Sequence, residues 1–303
     1  MTVKTTIDSL NAPLLQLQQL SIVAKKAPEK LLVDNVSFSI EAGKTTCVVG
    51  ESGSGKSLTA LSVMGLLSKP LQLTAGKVLF NDAENGVVDL SLIDAESLRK
   101  IRGAKIAMIF QEPMTSLNPV LTVGYQIGES LTTHLGIKGA ALKTKIAALL
   151  EMVGIPPSRA ESYPDELSGG QRQRVMIAMS IACEPKLLIA DEPTTALDVT
   201  VQAQILKLLD SLKTRMNMGM LFITHDFGVV ADIADNVVVM FRGKIVEAGT
   251  KAEVLEHPQH PYTRALLACV PDAEGKKPLQ PIDYAWLNPV HITDPVTDMK
   301  AMA

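Results

Sequence analysis

The chain has 303 residues, of which 47% are hydrophobic and 20% charged, so it can build a sizeable buried core. Its net charge of −3, with 29 basic and 32 acidic side chains, provides no broad basic surface for a nucleic-acid backbone, and we expect no nucleic-acid partner. No apolar stretch reaches the roughly 18 residues of a membrane span, and Met1–Leu20 lacks the pattern of a secretory signal.

The N-terminal part of the chain carries strand patterns. Leu14–Val23 and Leu31–Ile40 predict two strands around a polar turn at Lys25–Lys30. Thr45–Val49 predicts a short strand rich in β-branched residues, and Lys56–Leu67 predicts a helix after a glycine-rich loop.

The pattern then becomes helical from about Ser116 to Cys183, which predicts a helical insertion between two strand-rich halves. Beyond it, strands and helices alternate, and this order favours a mostly parallel sheet covered on both faces. The tail after Pro271 is rich in Pro, Asp and Lys, and we expect a loosely packed extension there. The strands in this part are Leu187–Ala190, Leu221–Thr224 and Val237–Phe241, and one helix face is marked by Val201, Ile205, Leu208, Leu209, Leu212 and Met216.

The glycine-rich loop, Gly50-Glu51-Ser52-Gly53-Ser54-Gly55-Lys56-Ser57, fits the pattern G-x-x-x-x-G-K-[ST] with a strand before it and a helix after it. Its glycines let successive backbone N–H groups point at phosphate oxygens, and the helix N-terminus adds positive potential. Lys56 would hold the β- and γ-phosphates, and the Ser57 hydroxyl would bind Mg²⁺. Kinases, GTPases and transport ATPases all have such a loop, so it predicts phosphate binding without naming the function.

Two carboxylates follow the apolar strand at Leu187–Ala190. Asp191 is predicted to bind Mg²⁺ directly or through water, and Glu192 to polarise the attacking water as a general base. The alternative is an ordinary acidic loop after a buried strand, and that alternative is weak downstream of a phosphate-binding loop.

Leu167-Ser168-Gly169-Gly170-Gln171 resembles the signature sequence of ATP-binding-cassette (ABC) ATPases, and it precedes the Asp191 strand as in that family. Ser168 and the amides of Gly169 and Gly170 would open a helix and form a second anion site, with Gln171 beside them. The resemblance implies a head-to-tail dimer that holds two ATP molecules between its subunits.

Other motifs resemble the same family. Gln111 matches the glutamine that senses the γ-phosphate and Mg²⁺, and Thr195-Ala196-Leu197-Asp198 resembles the loop that crosses the dimer interface. His225 resembles the switch histidine that contacts the γ-phosphate. The implied fold is α/β: a P-loop NTPase with a mostly parallel central sheet, an N-terminal antiparallel β subdomain and an inserted α-helical subdomain at about 116–183. The implied ATPase domain spans 14–271, and 272–303 is a C-terminal extension.

One position departs from the family pattern. The family stacks an aromatic residue on adenine near the end of the first strand, and this chain has Ala24 there, followed by Lys25 and Lys26. A missing base stack is worth on the order of 1–3 kcal/mol, so the motifs support phosphate binding more strongly than purine preference or ATP affinity.

Two segments resemble the peptide and nickel importers of this family: 111–119, which begins at Gln111, and 257–267, which contains His257-Pro258-Gln259-His260-Pro261-Tyr262. Members of this branch often continue into a cysteine-rich tail, which in some cases binds an iron–sulfur cluster. This chain has three separated cysteines, Cys47, Cys183 and Cys269, so we expect buried, reduced thiols and no cluster. Peptides, glutathione, antimicrobial peptides, modified peptides and nickel all remain open as cargo.

The resemblance also implies an assembly. It consists of two transmembrane permease subunits, a second ATP-binding subunit that is similar or identical, and an extracytoplasmic substrate-binding protein, with this chain on the cytoplasmic face of the cytoplasmic membrane. Two alternatives belong to other functional classes. A soluble cassette ATPase of DNA repair or translation would carry a long coiled coil or a duplicated cassette, and neither pattern is present in the sequence. A regulatory subunit that only binds ATP is opposed by Glu192 and His225 and favoured by Ala24.

Overall fold

The computed structural model describes residues 12–82, 84–111, 116–195 and 197–270. The strands are β1 (Leu15–Ala24), β2 (Ala27–Ile40), β3 (Thr45–Val49), β4 (Leu71–Asp82), β5 (Gly86–Asp89), β6 (Ile106–Ile109), β7 (Leu187–Asp191), β8 (Gly219–Thr224), β9 (Asn236–Phe241) and β10 (Lys244–Thr250). The helices are α1 (Lys56–Val63), α2 (Ala95–Ile101), α3 (Val123–Leu135), α4 (Gly139–Met152), α5 (Gly169–Ile181), α6 (Val199–Met216), α7 (Phe227–Ile233), α8 (Lys251–Glu256) and α9 (Pro261–Ala268), with short 3₁₀ turns at Pro157–Glu161 and Pro164–Glu166.

These strands form two sheets. An antiparallel sheet has the order β2-β1-β4-β5, and a six-stranded sheet has the order β10-β9-β3-β8-β7-β6. In the larger sheet β9, β3, β8, β7 and β6 run parallel, and β10 pairs antiparallel with β9 at one edge. The predicted fold is confirmed: a mostly parallel central sheet and an N-terminal antiparallel β subdomain.

The central sheet separates two apolar cores. Along β3, Cys47 and Val49 face a core that includes the helical segment, whereas Val48 between them faces a core under the antiparallel sheet. This alternation follows from the two-residue period of a strand. Because both faces are covered, the strands that carry the site residues are buried along their length, as the all-buried patterns of β3, β7 and β8 show.

The segment 116–183 contains α3, α4, α5 and the two 3₁₀ turns, and its described residues include no strand. This content agrees with the predicted helical insertion. The limits of that insertion, and the division between 14–271 and 272–303, stay predictions. The extension itself lies outside the described residues.

Helix α1 is shorter than the predicted Lys56–Leu67, because it ends at Val63. Gly65 has φ 59°, and the Leu66 amide donates to the Leu61 carbonyl at 2.8 Å while the Gly65 amide donates to the Ser62 carbonyl at 3.0 Å. This pair of bonds is the Schellman arrangement, which closes a helix at a left-handed glycine. The helix was predicted too long because the apolar Leu66 and Leu67 continue the helical pattern beyond Gly65, where the helix is terminated.

The predicted turn at Lys25–Lys30 is also too long, because β2 begins at Ala27. Strands β4 and β5 and helix α2 were not predicted from the sequence. In β4 the alternation breaks at Gly76, where an added Cβ would lie 2.6 Å from the carbonyl oxygens of Gln18 and Gln19. The pairing of β1 with β4 shifts register at the same place, so the strand has no continuous period-two pattern to read.

The cysteine expectation is partly wrong. Cys47 is buried, whereas Cys183 and Cys269 are only half-buried, and all three are free thiols. Burial raises the pKa of the Cys47 and Cys183 thiols, which disfavours the reactive thiolate. Among the described residues, no helix is both long and apolar enough to cross a membrane.

Asp235 joins three elements of the fold at the start of β9. Its carboxylate accepts a hydrogen bond from the Thr45 amide at 2.8 Å and lies 3.4 Å from the Lys44 ammonium and 3.5 Å from that of Lys213. Burial acts to raise the pKa of Asp235, but the Thr45 hydrogen bond and the two lysine charges outweigh it, and the pKa lies below the ordinary value. Lys213 sits at the end of α6, so one carboxylate ties β3, α6 and β9 together.

Asp235→Asn is expected to lower the free energy of unfolding at neutral pH by about 1–3 kcal/mol, because it removes the charge that Lys213 and Lys44 face. A carboxylate with a depressed pKa stabilises the fold above its unfolded-state pKa, and this stability is lost as the pH falls through the folded-state pKa. The difference between wild type and variant should therefore shrink below about pH 4. Urea unfolding at several pH values measures both effects.

Glu96→Gln is the matched control, since it breaks an exposed ion pair between Glu96 and Lys100 on α2. That change should alter the free energy of unfolding by less than about 1 kcal/mol. Equal losses in the two variants would contradict the role given to Asp235.

Candidate functional site: a phosphate-binding loop at the carboxyl edge of the sheet

The loop Gly50–Ser57 connects β3 to α1, as predicted. Gly50, Gly53 and Gly55 have φ values of 151°, 79° and 102°, which side chains with a Cβ rarely adopt. At Gly50 an added Cβ would also lie 2.1 Å from the carbonyl oxygen of Met240 in β9. The loop therefore rests directly on the neighbouring strand, and only glycine allows this approach.

Lys56, the first residue of α1, is 5% exposed and its side chain folds back over the loop. Its ammonium donates to the carbonyl oxygens of Gly50 at 2.7 Å and Glu51 at 2.9 Å. Burial lowers the pKa of Lys56, and the charges of Glu192, Asp191 and Glu51 oppose that shift. A cation held over a curled backbone at a helix N-terminus is suited to phosphate oxygens.

Ser57 and Asp191 meet beside this lysine. The Ser57 hydroxyl donates to Oδ1 of Asp191 at 3.0 Å, and Asp191 is 5% exposed at the end of β7. Burial raises the pKa of Asp191, and the Ser57 hydrogen bond acts against that rise. A hydroxyl and a buried carboxylate form an oxygen-only donor pair, which fits the preference of Mg²⁺.

Glu192 is at the centre of a second cluster. One oxygen of its carboxylate, Oε2, accepts from Gln111 Nε2 at 3.2 Å and from the Thr195 hydroxyl at 3.0 Å, and lies 3.4 Å from Nδ1 of His225. Glu192 has φ 47°, an uncommon conformation that lies just past the strand end. The structure thus brings together the three residues predicted to be catalytic: Glu192, His225 and Gln111.

These groups meet because their strands are neighbours. In the order β3-β8-β7-β6, the phosphate loop follows β3, His225 follows β8, Glu192 follows β7 and Gln111 follows β6. Carboxyl ends of parallel strands share one edge of the sheet, which is where ligands bind in open α/β sheets. Residues 112–115 of the predicted glutamine loop, and Ala196, lie outside the described residues.

The signature residues lie at the start of another helix, α5. Ser168 caps α5: its hydroxyl accepts from the Gln171 amide at 3.3 Å, and the Gln171 side chain accepts from the Ser168 amide at 3.0 Å. An added Cβ at Gly169 would meet nothing within 4 Å, whereas one at Gly170 would lie 2.8 Å from Val201. Helix α5 packs on β6, α3 and α4, while the phosphate loop lies against β9. Within one chain the two predicted anion sites therefore belong to different parts of the fold.

Asp198 caps another helix, α6, by accepting from the Val201 amide at 2.9 Å. The residue after it, Val199, is 83% exposed. An exposed apolar side chain beside a capped helix start is consistent with the predicted position of this loop at an interface.

Two contacts were not foreseen as part of the site. The Thr195 hydroxyl donates to Glu192, and the Tyr262 hydroxyl of α9 accepts from the Glu51 amide in the phosphate loop at 3.1 Å. Of these two contacts, only that of Thr195 could have been inferred from the sequence, because Thr195 lies three residues after Glu192. Tyr262 is 211 positions away from Glu51.

The structure puts Ala24 at the last position of β1, across from Ala27 of β2 and Leu71 of β4. Ala24→Tyr is expected to tighten ATP binding about tenfold, because it supplies the stacking ring that this position lacks. Titration of each protein with ATP measures the change. Ala75→Tyr puts the same ring at an exposed position of β4 and should leave the affinity unchanged; an equal gain there would contradict the prediction.

Comparison with known proteins identifies the class. Residues 33–195 match the family described as ABC transporter, and residues 246–290 match the family described as Oligopeptide/dipeptide transporter, C-terminal region. The chain belongs to the ABC transporter family. It is an ATP-binding chain that hydrolyses ATP, as the sequence predicted.

Individual relatives are similar over most of the chain. A putative peptide import ATP-binding protein of Brucella ovis is 51% identical over 263 residues, which cover 86% of this chain and 78% of the relative. The glutathione import ATP-binding protein GsiA of Escherichia coli (strain K12) is 50% identical over 277 residues, covering 90% of this chain and 44% of GsiA.

Solved structures agree with the fold. A dimeric ATP-binding cassette in a post-hydrolysis state, bound to ADP and Pi, superposes with a TM-score of 0.68 at 27% identity, covering 78% of this chain and 98% of that one. The protein cbiO1 from Clostridium perfringens, part of the ABC transporter complex cbiONQ, gives a TM-score of 0.69 at 26% identity, covering 81% and 91%.

Proposed function

We propose that this chain energises the import of peptides or peptide-like substrates as the ATP-hydrolysing subunit of a membrane transporter. The observation that supports hydrolysis is the position of the Glu192 carboxylate. It contacts Gln111 and His225 at the edge of the sheet that also holds the phosphate loop. The peptide branch is supported by the match of 246–290 to the oligopeptide/dipeptide C-terminal region and by the relatives named for peptide and glutathione import.

The proposed role of each residue follows from its position in the site. The amides of Gly50–Ser57 bind the phosphates, and Lys56 turns from its own carbonyls to the β- and γ-phosphates. Ser57, Asp191 and Gln111 would hold Mg²⁺, which neutralises phosphate charge when it is bound. Glu192 accepts the proton of the attacking water, and His225 contacts the γ-phosphate.

The second anion site completes the mechanism in a dimer. Because Ser168–Gln171 and the phosphate loop lie on different parts of one chain, each signature helix faces the ATP of a partner copy or a similar subunit. ATP thus favours the closed dimer through contacts that exist only in that state. Asp198 and its neighbours lie at this interface, and hydrolysis removes the contact that holds the dimer shut.

The remaining partners follow from the same proposal. Two transmembrane permease subunits dock near Gln111 and the helical segment, and an extracytoplasmic binding protein delivers cargo. The chain is then a peripheral protein on the cytoplasmic face of the cytoplasmic membrane.

The test is uptake into proteoliposomes that contain this chain with its co-purified membrane partners and binding protein. We expect ATP-dependent accumulation of a labelled oligopeptide, with unlabelled glutathione and Ni²⁺ as competitors. Competition by glutathione would narrow the cargo to short thiol peptides. In a parallel assay with radiolabelled Ni²⁺, accumulation of Ni²⁺ without any peptide uptake would overturn the proposed substrate class while leaving ATP hydrolysis intact.

A further inference from the structure

Tyr262 is a buried tyrosine in the first turn of α9, and its hydroxyl reaches the phosphate loop. The residue is 0% exposed, and its ring centroid lies 4.4 Å from that of Phe241 with the planes tilted by 49°. Its hydroxyl accepts the hydrogen bond from the Glu51 amide at 3.1 Å. A buried tyrosine hydroxyl normally has a partner, and here one partner is the amide of Glu51, the second residue of the loop.

The segment before α9 is held in place by β10. Both oxygens of the Glu247 carboxylate accept backbone hydrogen bonds, from the Gln259 amide at 2.6 Å and from the His260 amide at 3.1 Å. His260 Nδ1 then accepts from the Tyr262 amide at 3.1 Å and caps the helix. Because the entry into α9 is fixed by these bonds, the phenol is directed at one place on the loop.

Tyr262 and Lys56 hold the same peptide group. The Glu51 amide, which donates to Tyr262, and the Gly50 carbonyl, which accepts from Lys56 at 2.7 Å, belong to one peptide bond. The described residues contain no cis peptide, so this N–H and C=O point in opposite directions. When Lys56 turns to bound phosphate, the Gly50 carbonyl loses the ammonium, whereas the hydrogen bond from the Glu51 amide to the Tyr262 hydroxyl still holds the peptide.

We propose that Tyr262 is a positioning residue for nucleotide binding, through which the C-terminal element sets the orientation of the Gly50–Glu51 peptide. Holding this peptide keeps the loop open to phosphate while Lys56 changes partners. The inference rests on the proposed role of Gly50–Ser57 as the phosphate site.

Tyr262→Phe tests this directly, because it keeps the ring beside Phe241 and removes only the hydroxyl. We expect the Kd and KM for ATP to rise about tenfold, with kcat in the full transporter within about twofold of wild type. A split between KM and kcat separates positioning of the loop from general loss of structure.

Thr263→Val is the matched control. Thr263 is the next residue, is 0% exposed, and its hydroxyl has no hydrogen-bond partner within the described residues. Removing this buried hydroxyl should leave the Kd for ATP unchanged. An equal rise in both variants would assign the effect to the packing of α9 and overturn the inference.

Hydrogen exchange on wild-type protein without nucleotide supplies a test that needs no variant. The Glu51 amide should be protected from exchange, and rapid exchange there would overturn the proposal. If wild-type protein binds no ATP at all, the phosphate site itself is refuted; if it binds ATP and Tyr262→Phe binds equally well, only the role of Tyr262 fails.

Discussion

Glu192→Gln is expected to lower kcat for ATP hydrolysis at least about 100-fold while ATP still binds. The substitution keeps the shape of the side chain and its ability to accept from Gln111 and Thr195. It removes the basic oxygen that is proposed to take a proton from water, and a positioned general base contributes roughly 10²–10⁴-fold to a rate. Phosphate release by the full transporter, with ATP affinity measured in parallel, separates chemistry from binding.

The control for this change is Glu96→Gln, which makes the same carboxylate-to-amide exchange on an exposed face of α2. Its turnover should equal that of wild type. A Glu192→Gln variant that hydrolyses ATP as fast as wild type would refute Glu192 as the base. A wild-type complex that binds ATP but turns over no faster than the variant would favour the regulatory alternative.

Gly169→Asp is expected to abolish hydrolysis in the full transporter, with at least a 100-fold loss, yet leave ATP binding by the isolated chain unchanged. The position has room, since an added Cβ meets nothing within 4 Å, so the fold accepts the new side chain. In the proposed dimer the new carboxylate would face the partner's γ-phosphate. Two unit charges 4 Å apart repel by about 4 kcal/mol at an effective dielectric constant of 20, which corresponds to roughly a thousandfold.

Gly169→Asn separates charge from bulk, because asparagine has the shape of aspartate without its charge. The asparagine variant should retain more activity than the aspartate variant. Light scattering in a Glu192→Gln background measures whether ATP makes the chain dimerise, and so tests closure of the dimer without hydrolysis. A Gly169→Asp chain that still dimerises with ATP would contradict the second anion site.

The placement of the proposed site residues was predictable because each belongs to a motif with a fixed place relative to a strand. Gly50–Ser57 follows β3, Glu192 follows β7 and His225 follows β8, so adjacency of the strands brings them together. Short strands with unbroken apolar runs, such as β7, can be read from local sequence alone.

What the sequence did not predict depends on tertiary packing or on irregular backbone. Strand β4 lacks a readable alternation because Gly76 interrupts it against β1, and α2 buries only Leu98. The Tyr262–Glu51 contact joins residues 211 positions apart and needs β9, β10 and α9 in place before it exists. Contacts of this kind cannot be predicted from the local amino-acid pattern.

The hydrogen bond between Gln111 and Glu192 is modest in strength, and this has a consequence for timing. At 3.2 Å, with Gln111 exposed and a carboxylate as the acceptor, it is worth roughly 1.5–3 kcal/mol, a few times the thermal energy. Thermal motion alone makes and breaks such a bond far faster than an enzyme completes a turnover. Gln111 can therefore leave and rejoin the Glu192 carboxylate many times per cycle, and even a small force from a docked neighbour would change the fraction of time that it spends there.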